Sequence, residues 1–240
     1  MLEEILIPPD MAPMHYNDHW PWPVWQIGAG ICDCRQPIIA RERMNAILGQ
    51  PGIPDDCYRF TFDNFQAAQY REALNWAVAF VASDALVSAD GKERTGLLLS
   101  GTPGVGKTTL GSLVFRARVE KGQLAAWIKF TDWMRRIRAT YDDGYEGKSV
   151  DELRQAVQYA PFLLIDDLGS QTRGETYAED VIELLFLIFD HRWAKRLPTL
   201  VTTNLTETEL IKQFGAPVVS RMLGLCHIVI VRGPDARRKS

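Results

Sequence analysis

The chain has 240 residues, 46% hydrophobic, 10% aromatic and 24% charged, enough apolar material for a packed core and too little Pro, Gly or charge for a disordered chain. At about 150 residues per domain, that length suits one full domain with a small appendage better than two full ones. The formal net charge is −3, so the totals announce no strongly basic surface, and local patches must carry any contact with polyanions.

Residues 1–59 read as an appendage separate from a main domain over 60–240. Prolines interrupt the appendage around Trp20, Trp22 and Trp25, and eight carboxylates stand against four arginines. Only Ile38–Leu48 carries a helical period. The start is acidic and broken by Pro8 and Pro9, unlike a signal peptide, and no apolar run approaches the roughly 18 residues of a membrane span. A cytoplasmic protein with no membrane contact is expected. In that compartment Cys32, Cys34, Cys57 and Cys226 would be thiols or metal ligands.

From Phe60 onward, short apolar runs alternate with longer helical patterns, the signature of a parallel sheet covered by helices. The periodicity predicts a helix over Asn64–Ser88 and a strand over Gly96–Ser100. A helix over Thr108–Lys121 and a strand over Leu124–Phe130 follow, then helices over Asp132–Tyr141 and Ser149–Tyr159. Phe162–Ile165 reads as a buried strand, Glu179–Trp193 as a very apolar helix, and Thr199–Thr203 as a strand. Thr206–Phe214 is a helix opened by the capping-box pattern Thr206-Glu-Thr-Glu209, and Ile228–Val231 is the last of five core strands. Residues 142–148 and 171–176 read as loops.

Between the strand at 96–100 and the following helix lies Gly101-Thr-Pro-Gly-Val-Gly-Lys107-Thr108, which matches G-x-x-x-x-G-K-[ST] in its proper strand-to-helix context. Glycines there let backbone N–H groups curl around phosphate oxygens at a helix N-terminus, whose dipole also favours anions. The nucleotide-binding set is therefore Gly101, Thr102, Pro103, Gly104, Val105, Gly106, Lys107, Thr108 and Thr109. Lys107 would reach the β- and γ-phosphates of ATP, and Thr108 would hold Mg²⁺. The apolar run at 162–165 ends in Asp166-Asp167, 59 positions after Lys107, a spacing that suits a neighbouring strand delivering Asp166 to Mg²⁺. Asp167 is left to orient or deprotonate the attacking water. The run Thr199-Leu-Val-Thr-Thr-Asn204 ends on an amide able to fix that water near the γ-phosphate.

Together, Gly-Leu-Leu-Leu-Ser-Gly-Thr-Pro-Gly-Val-Gly-Lys-Thr at 96–108, Leu-Leu-Ile-Asp-Asp-Leu-Gly at 163–169, Leu-Pro-Thr-Leu-Val-Thr-Thr-Asn-Leu at 197–205 and Ser-Arg-Met-Leu-Gly at 220–224 resemble the DnaC/IstB-like AAA+ family of helicase loaders and transposition helpers, over about residues 52–240. The resemblance implies an α/β P-loop NTPase fold, a five-stranded parallel sheet sandwiched by helices with no sizeable C-terminal lid, since the chain ends three residues after Arg237. It implies Asn204 as sensor 1, Arg221 as an arginine finger serving a neighbouring subunit, and Arg237 as the sensor-2 arginine of its own site. Self-association through Arg221 would then be needed for hydrolysis.

The segment from Lys129 to Tyr141 carries Lys129, Arg135, Arg136 and Arg138 against Asp132, with aromatics interleaved, as a single strand of DNA requires. It reads either as that surface or as a solvated helix face with Trp133 and Met134 in the core. In the resembling loaders this segment lines the single-stranded DNA path, which implies Arg138 and Tyr141 as contacts, with Tyr177 in the later loop as another. Cys32-x-Cys34 with His15 and His19 upstream supplies four side chains able to bind Zn²⁺, or else idle thiols. The aromatic, acidic N-terminal region suits docking on a partner protein. The function expected is an ATPase that loads a replicative DNA helicase hexamer onto single-stranded DNA. The rival readings are a transposition helper acting on duplex DNA and a transposase, a small-molecule phosphotransferase, and a nucleotide-gated adaptor that does not hydrolyse, the last suggested by Asp167 where many ATPases carry Glu.

Overall fold

Uninterrupted apolar strands require cover on both faces, and Leu97–Leu99 and Phe162–Ile165 are such runs. In the computed structural model both lie in the middle of a sheet and are almost completely buried. The structure describes residues 41–42, 44–45, 47–48, 52–65, 70–88, 91–140, 149–170, 177–233 and 235. All of them belong to one compact unit, Cys32–Ser240. His15, His19, Cys32, Cys34, Tyr141 and Arg237 lie outside the described residues.

The elements, in order, are α1 (Arg71–Ala82), β1 (Leu86–Val87), β2 (Glu93–Arg94), β3 (Gly96–Ser100), α2 (Lys107–Glu120), β4 (Ala125–Lys129), α3 (Phe130–Ala139), α4 (Val150–Gln158), β5 (Phe162–Leu168), α5 (Glu179–Ala194), β6 (Thr199–Thr203), α6 (Glu207–Leu225) and β7 (Cys226–Ile230). Five of the strands form a sheet in the order β4-β5-β6-β3-β7, every pair parallel. This is the expected α/β architecture. β1 and β2 make a separate antiparallel pair.

Differences from the sequence reading have local causes. The predicted helix at 64–88 shrinks to Arg71–Ala82 because polar side chains at both ends bind backbone instead. Thr61 N–H donates to Asn64 Oδ1 at 2.7 Å, and Asn64 N–H to Thr61 Oγ1 at 3.2 Å, closing a turn. At the other end the Ser83 hydroxyl donates to the Ala85 carbonyl at 3.0 Å, and the chain turns into β1. The helix read over 206–214 begins with the predicted capping box, then kinks at Gly215 (φ 81°, ψ 154°) before Pro217 and continues to Leu225. Arg221 is thereby carried on this helix. β5 runs on through Asp166 and Asp167 to Leu168, so both carboxylates belong to the strand rather than terminating it.

Upstream, described residues between 41 and 48 are helical, with Met44 and Leu48 buried. Residues 53–60 lie against α2: Arg116 donates to the carbonyls of Cys57 and Phe60 at 3.2 and 3.0 Å, and Ile53 and Phe60 pack on the core.

Candidate nucleotide-binding site

The site forms at the carboxyl ends of β3, β5 and β6, where ligands of open α/β sheets bind. β3 hands the chain to a loop over 101–106, and α2 starts at Lys107. Gly104 and Gly106 have φ of 80° and 89°, left-handed values that a side chain disfavours. A side chain there would also have to displace a neighbour. A Cβ on Gly106 would lie 3.1 Å from the Phe65 ring, and one on Gly104 would strike the Asp235 carboxylate.

The Lys107 ammonium is buried and donates to the carbonyls of Gly101 and Thr102 at 2.7 and 2.8 Å, and to Asn204 Oδ1 at 2.7 Å. Asn204 spends its other end on Asp167, Nδ2 donating to Oδ1 at 2.8 Å. The amide orientation follows from charge, its oxygen facing the cation and its nitrogen the carboxylate. Thr108 Oγ1 donates to Asp166 Oδ1 at 3.0 Å. Thr202 Oγ1 donates to that same oxygen at 2.7 Å. Lys107, Thr108, Asp166, Asp167 and Asn204, read from separate stretches of sequence, thus form one cluster, the Lys107–Asn204–Asp167 chain meeting the Thr108–Asp166 pair through Thr202.

Burial pushes the Asp166 carboxyl above its ordinary range, and the Asp167 charge adds to this. The Thr202 and Thr108 hydroxyls and the Lys129 charge pull the other way. A buried carboxylate held at higher cost than in water, beside a hydroxyl oxygen, suits a hard divalent cation. Magnesium takes one or two protein oxygens and completes its shell with water and phosphate, and the Thr108 and Asp166 oxygens fit that demand. Among the described residues no cluster of three or more His, Cys, Asp or Glu side chains is placed to hold a metal by itself.

Three residues missing from the sequence reading belong here. Thr202 touches both acidic residues, but in sequence it is only a strand-forming Thr. Phe65 and Tyr70 stack at 5.0 Å beside the loop, Phe65 against Gly106 and Tyr70 against Gly233. The chain after β7 returns to the loop, with Val231 against Gly101 and Asp235 against Gly104, two residues before Arg237.

Arg221 stands apart from this cluster. It bonds Asp190 Oδ1 through Nε at 2.6 Å and lies over the Trp193 ring at 4.9 Å, on the α5–α6 surface, its side chain 38% exposed. On α3, Arg135 and Arg138 are exposed, with Arg135 paired to Asp132 at 2.7 Å, whereas Trp133 and Met134 are buried. The basic half of the predicted strand-binding pattern is on the surface; these two apolar side chains are in the core.

Tyr177 is a correction. It is 7% exposed, stacked on Phe214 at 4.8 Å and edge-on to Phe130 at 5.6 Å, so its ring offers no face to a base. Its position after a polar loop suggested exposure, but the next element, α5, turns it inward over α6.

The profile of the family described as "IstB-like ATP binding protein" matches residues 59–240. Escherichia coli K12 protein YdaV is 28% identical over 205 residues, covering 84% of this chain and 77% of YdaV. The replicative helicase loader DnaI of Bacillus subtilis is 23% identical over 185 residues, 76% of this chain and 56% of DnaI. A crystal structure of the DnaC helicase loader superposes with a TM-score of 0.59 at 25% identity, over 74% of this chain and 99% of that one.

Proposed function

Because the chain belongs to the IstB-like ATP-binding family, an AAA+ group that includes the DnaC-type loaders, we propose that it hydrolyses ATP to load a replicative helicase hexamer onto single-stranded DNA. The observation that supports ATP chemistry is the single cluster joining Lys107, Asn204, Asp167, Asp166 and Thr108. In it, Lys107 exchanges its loop carbonyls for phosphate oxygens, and the loop N–H groups take the rest of the phosphate charge. Thr108 and Asp166 would hold Mg²⁺, which would neutralise phosphate charge when bound. Asp167, oriented by the Asn204 amide, accepts a proton from the attacking water.

The finer assignments rest on the resemblance together with placement. Arg221 sits on an exposed helical surface, as a residue serving a neighbouring subunit must, and self-association completes the site. Arg237 follows the segment that Asp235 anchors at the loop. Arg138, with Arg135, gives α3 an exposed basic stripe for single-stranded DNA, and the resemblance adds Tyr141 as a contact. α3 starts directly after Lys129, which stands opposite Asp166 in the β4–β5 ladder, so the helix proposed to contact DNA begins beside the nucleotide site. Residues 1–59 dock on the helicase.

The test is native mass spectrometry of the protein with the replicative helicase of its own source, ATP and Mg²⁺, with and without residues 1–59. A stable complex lost on truncation is expected. No complex, with hydrolysis that responds to duplex DNA, would overturn the loader reading in favour of a transposition helper.

A further inference from the structure

β5 and β6 pair regularly from Leu163↔Thr199 to Ile165↔Val201 and resume at Leu168↔Thr203. Asp166 and Asp167 therefore oppose the single residue Thr202, a β-bulge of two residues against one. Asp167 takes a left-handed φ of 61°. In a regular strand, consecutive side chains leave on opposite faces. The bulge instead brings both carboxylates into one cluster, Asp166 to Thr108 and Asp167 to Asn204.

A bulge leaves one backbone group without its ladder partner, and Thr202 supplies the substitute. Its hydroxyl accepts the Asp167 N–H at 2.9 Å and donates its own proton to Asp166 Oδ1 at 2.7 Å. Thr202 is 1% exposed, so water has no access to replace it. One hydroxyl thus fixes the backbone of one acid and the side chain of the other. The neighbouring Thr203 is a contrast, since its hydroxyl bonds only backbone, donating to the Leu168 carbonyl and accepting the Leu205 N–H.

We propose that Thr202 is a positioning residue for nucleotide hydrolysis, its hydroxyl setting the spacing between the metal-holding Asp166 and the water-orienting Asp167. This inference rests on the ATPase reading of the site. A hydroxyl with a donor and an acceptor role can be replaced by Ser but not by Val, which keeps the shape and loses both bonds.

The experiment compares the parent, T202V, T202S and T203V for kcat, for KM, and for the Mg²⁺ concentration giving half-maximal tightening of a fluorescent ATP analogue, with thermal melting as a folding control. T202V should lose about tenfold to a hundredfold in kcat and need several-fold more Mg²⁺, the range typical when a group supporting a metal ligand is removed. T202S should stay within about threefold of the parent, and T203V should melt lower while keeping its Mg²⁺ dependence. T202V matching the parent, T202S failing as badly as T202V, or T203V shifting Mg²⁺ dependence equally would overturn the proposal. If the parent itself shows no turnover, the ATPase reading fails, and the Mg²⁺ titration still decides: loss of the metal response in T202V alone supports Thr202 as the positioning residue, and its retention overturns that role.

Discussion

Asp166 is the residue at which folding and function oppose each other most directly. Burial raises its pKa, so the charged form that binds a cation is the form the folded chain tolerates least. Replacing it with Asn removes that burden and keeps the amide within reach of Thr108 and Thr202. Without nucleotide, D166N should therefore melt higher than the parent at neutral pH, by about 2–4 °C for a gain near 1 kcal/mol. It should also lose the extra stabilisation that Mg²⁺ adds to ATP. Melting curves of both proteins with and without Mg²⁺ and ATP read both effects, and a D166N that melts lower would contradict this account of the site. Asp166, Lys107, Thr108 and Asn204 were legible in the sequence because each sits at a fixed place in a strand-end or loop motif. Thr202 was not, because its role depends on a register shift between two strands that are far apart in the chain.

Among the elements, the junction of α4, β5, α5 and β6 depends on one side chain. Arg192, in the last turn of α5, is fully buried, and among the described residues no carboxylate pairs with it. Its guanidinium donates to the carbonyls of Val157, Gln158, Ala160 and Pro198 and to the Thr199 hydroxyl, at distances of 2.8 to 3.2 Å. Burial pushes its pKa down to about 9, and this ring of oxygens keeps it charged at neutral pH. R192M fills similar space but leaves those acceptors unpaired, and should cost about 3–5 kcal/mol in denaturant unfolding. A loss below about 1 kcal/mol would show that the junction holds without it. From sequence, Arg192 reads as a basic residue favoured near a helix C-terminus; nothing in a helical period shows that the ends of four elements converge on it. Periodicity located all five sheet strands to within a few residues, and the helices too except those read at 64–88 and at 206–214, the second of which runs on to Leu225. It overran at 64–88, where Asn64 and Ser83 bind backbone locally, and it ended β5 early because a pair of Asp residues looks like a solvated strand end.

For the molecule as a whole, the sheet order places both strand ends that meet the phosphate loop on the same side of β3: β6 with Asn204 directly beside it, and β5 with the acidic pair one strand further. On the far side of β5, β4 leads through Lys129 into the basic helix α3, so the nucleotide and the proposed DNA strand share one edge of the fold. Among the described residues no helix is long and apolar enough to cross a membrane. The family was legible from four short phrases because three of them mark the ends of strands in that sheet, whereas the burial of Tyr177 depends on how α5 and α6 pack. Magnesium-dependent ATP hydrolysis at the Lys107 cluster is tested by steady-state phosphate release over a range of protein concentrations, for the parent and for K107A. The rate per subunit should rise with concentration in the parent and fall at least about a hundredfold in K107A. A parent no faster than buffer, or a K107A variant that keeps the parent's rate, would contradict it.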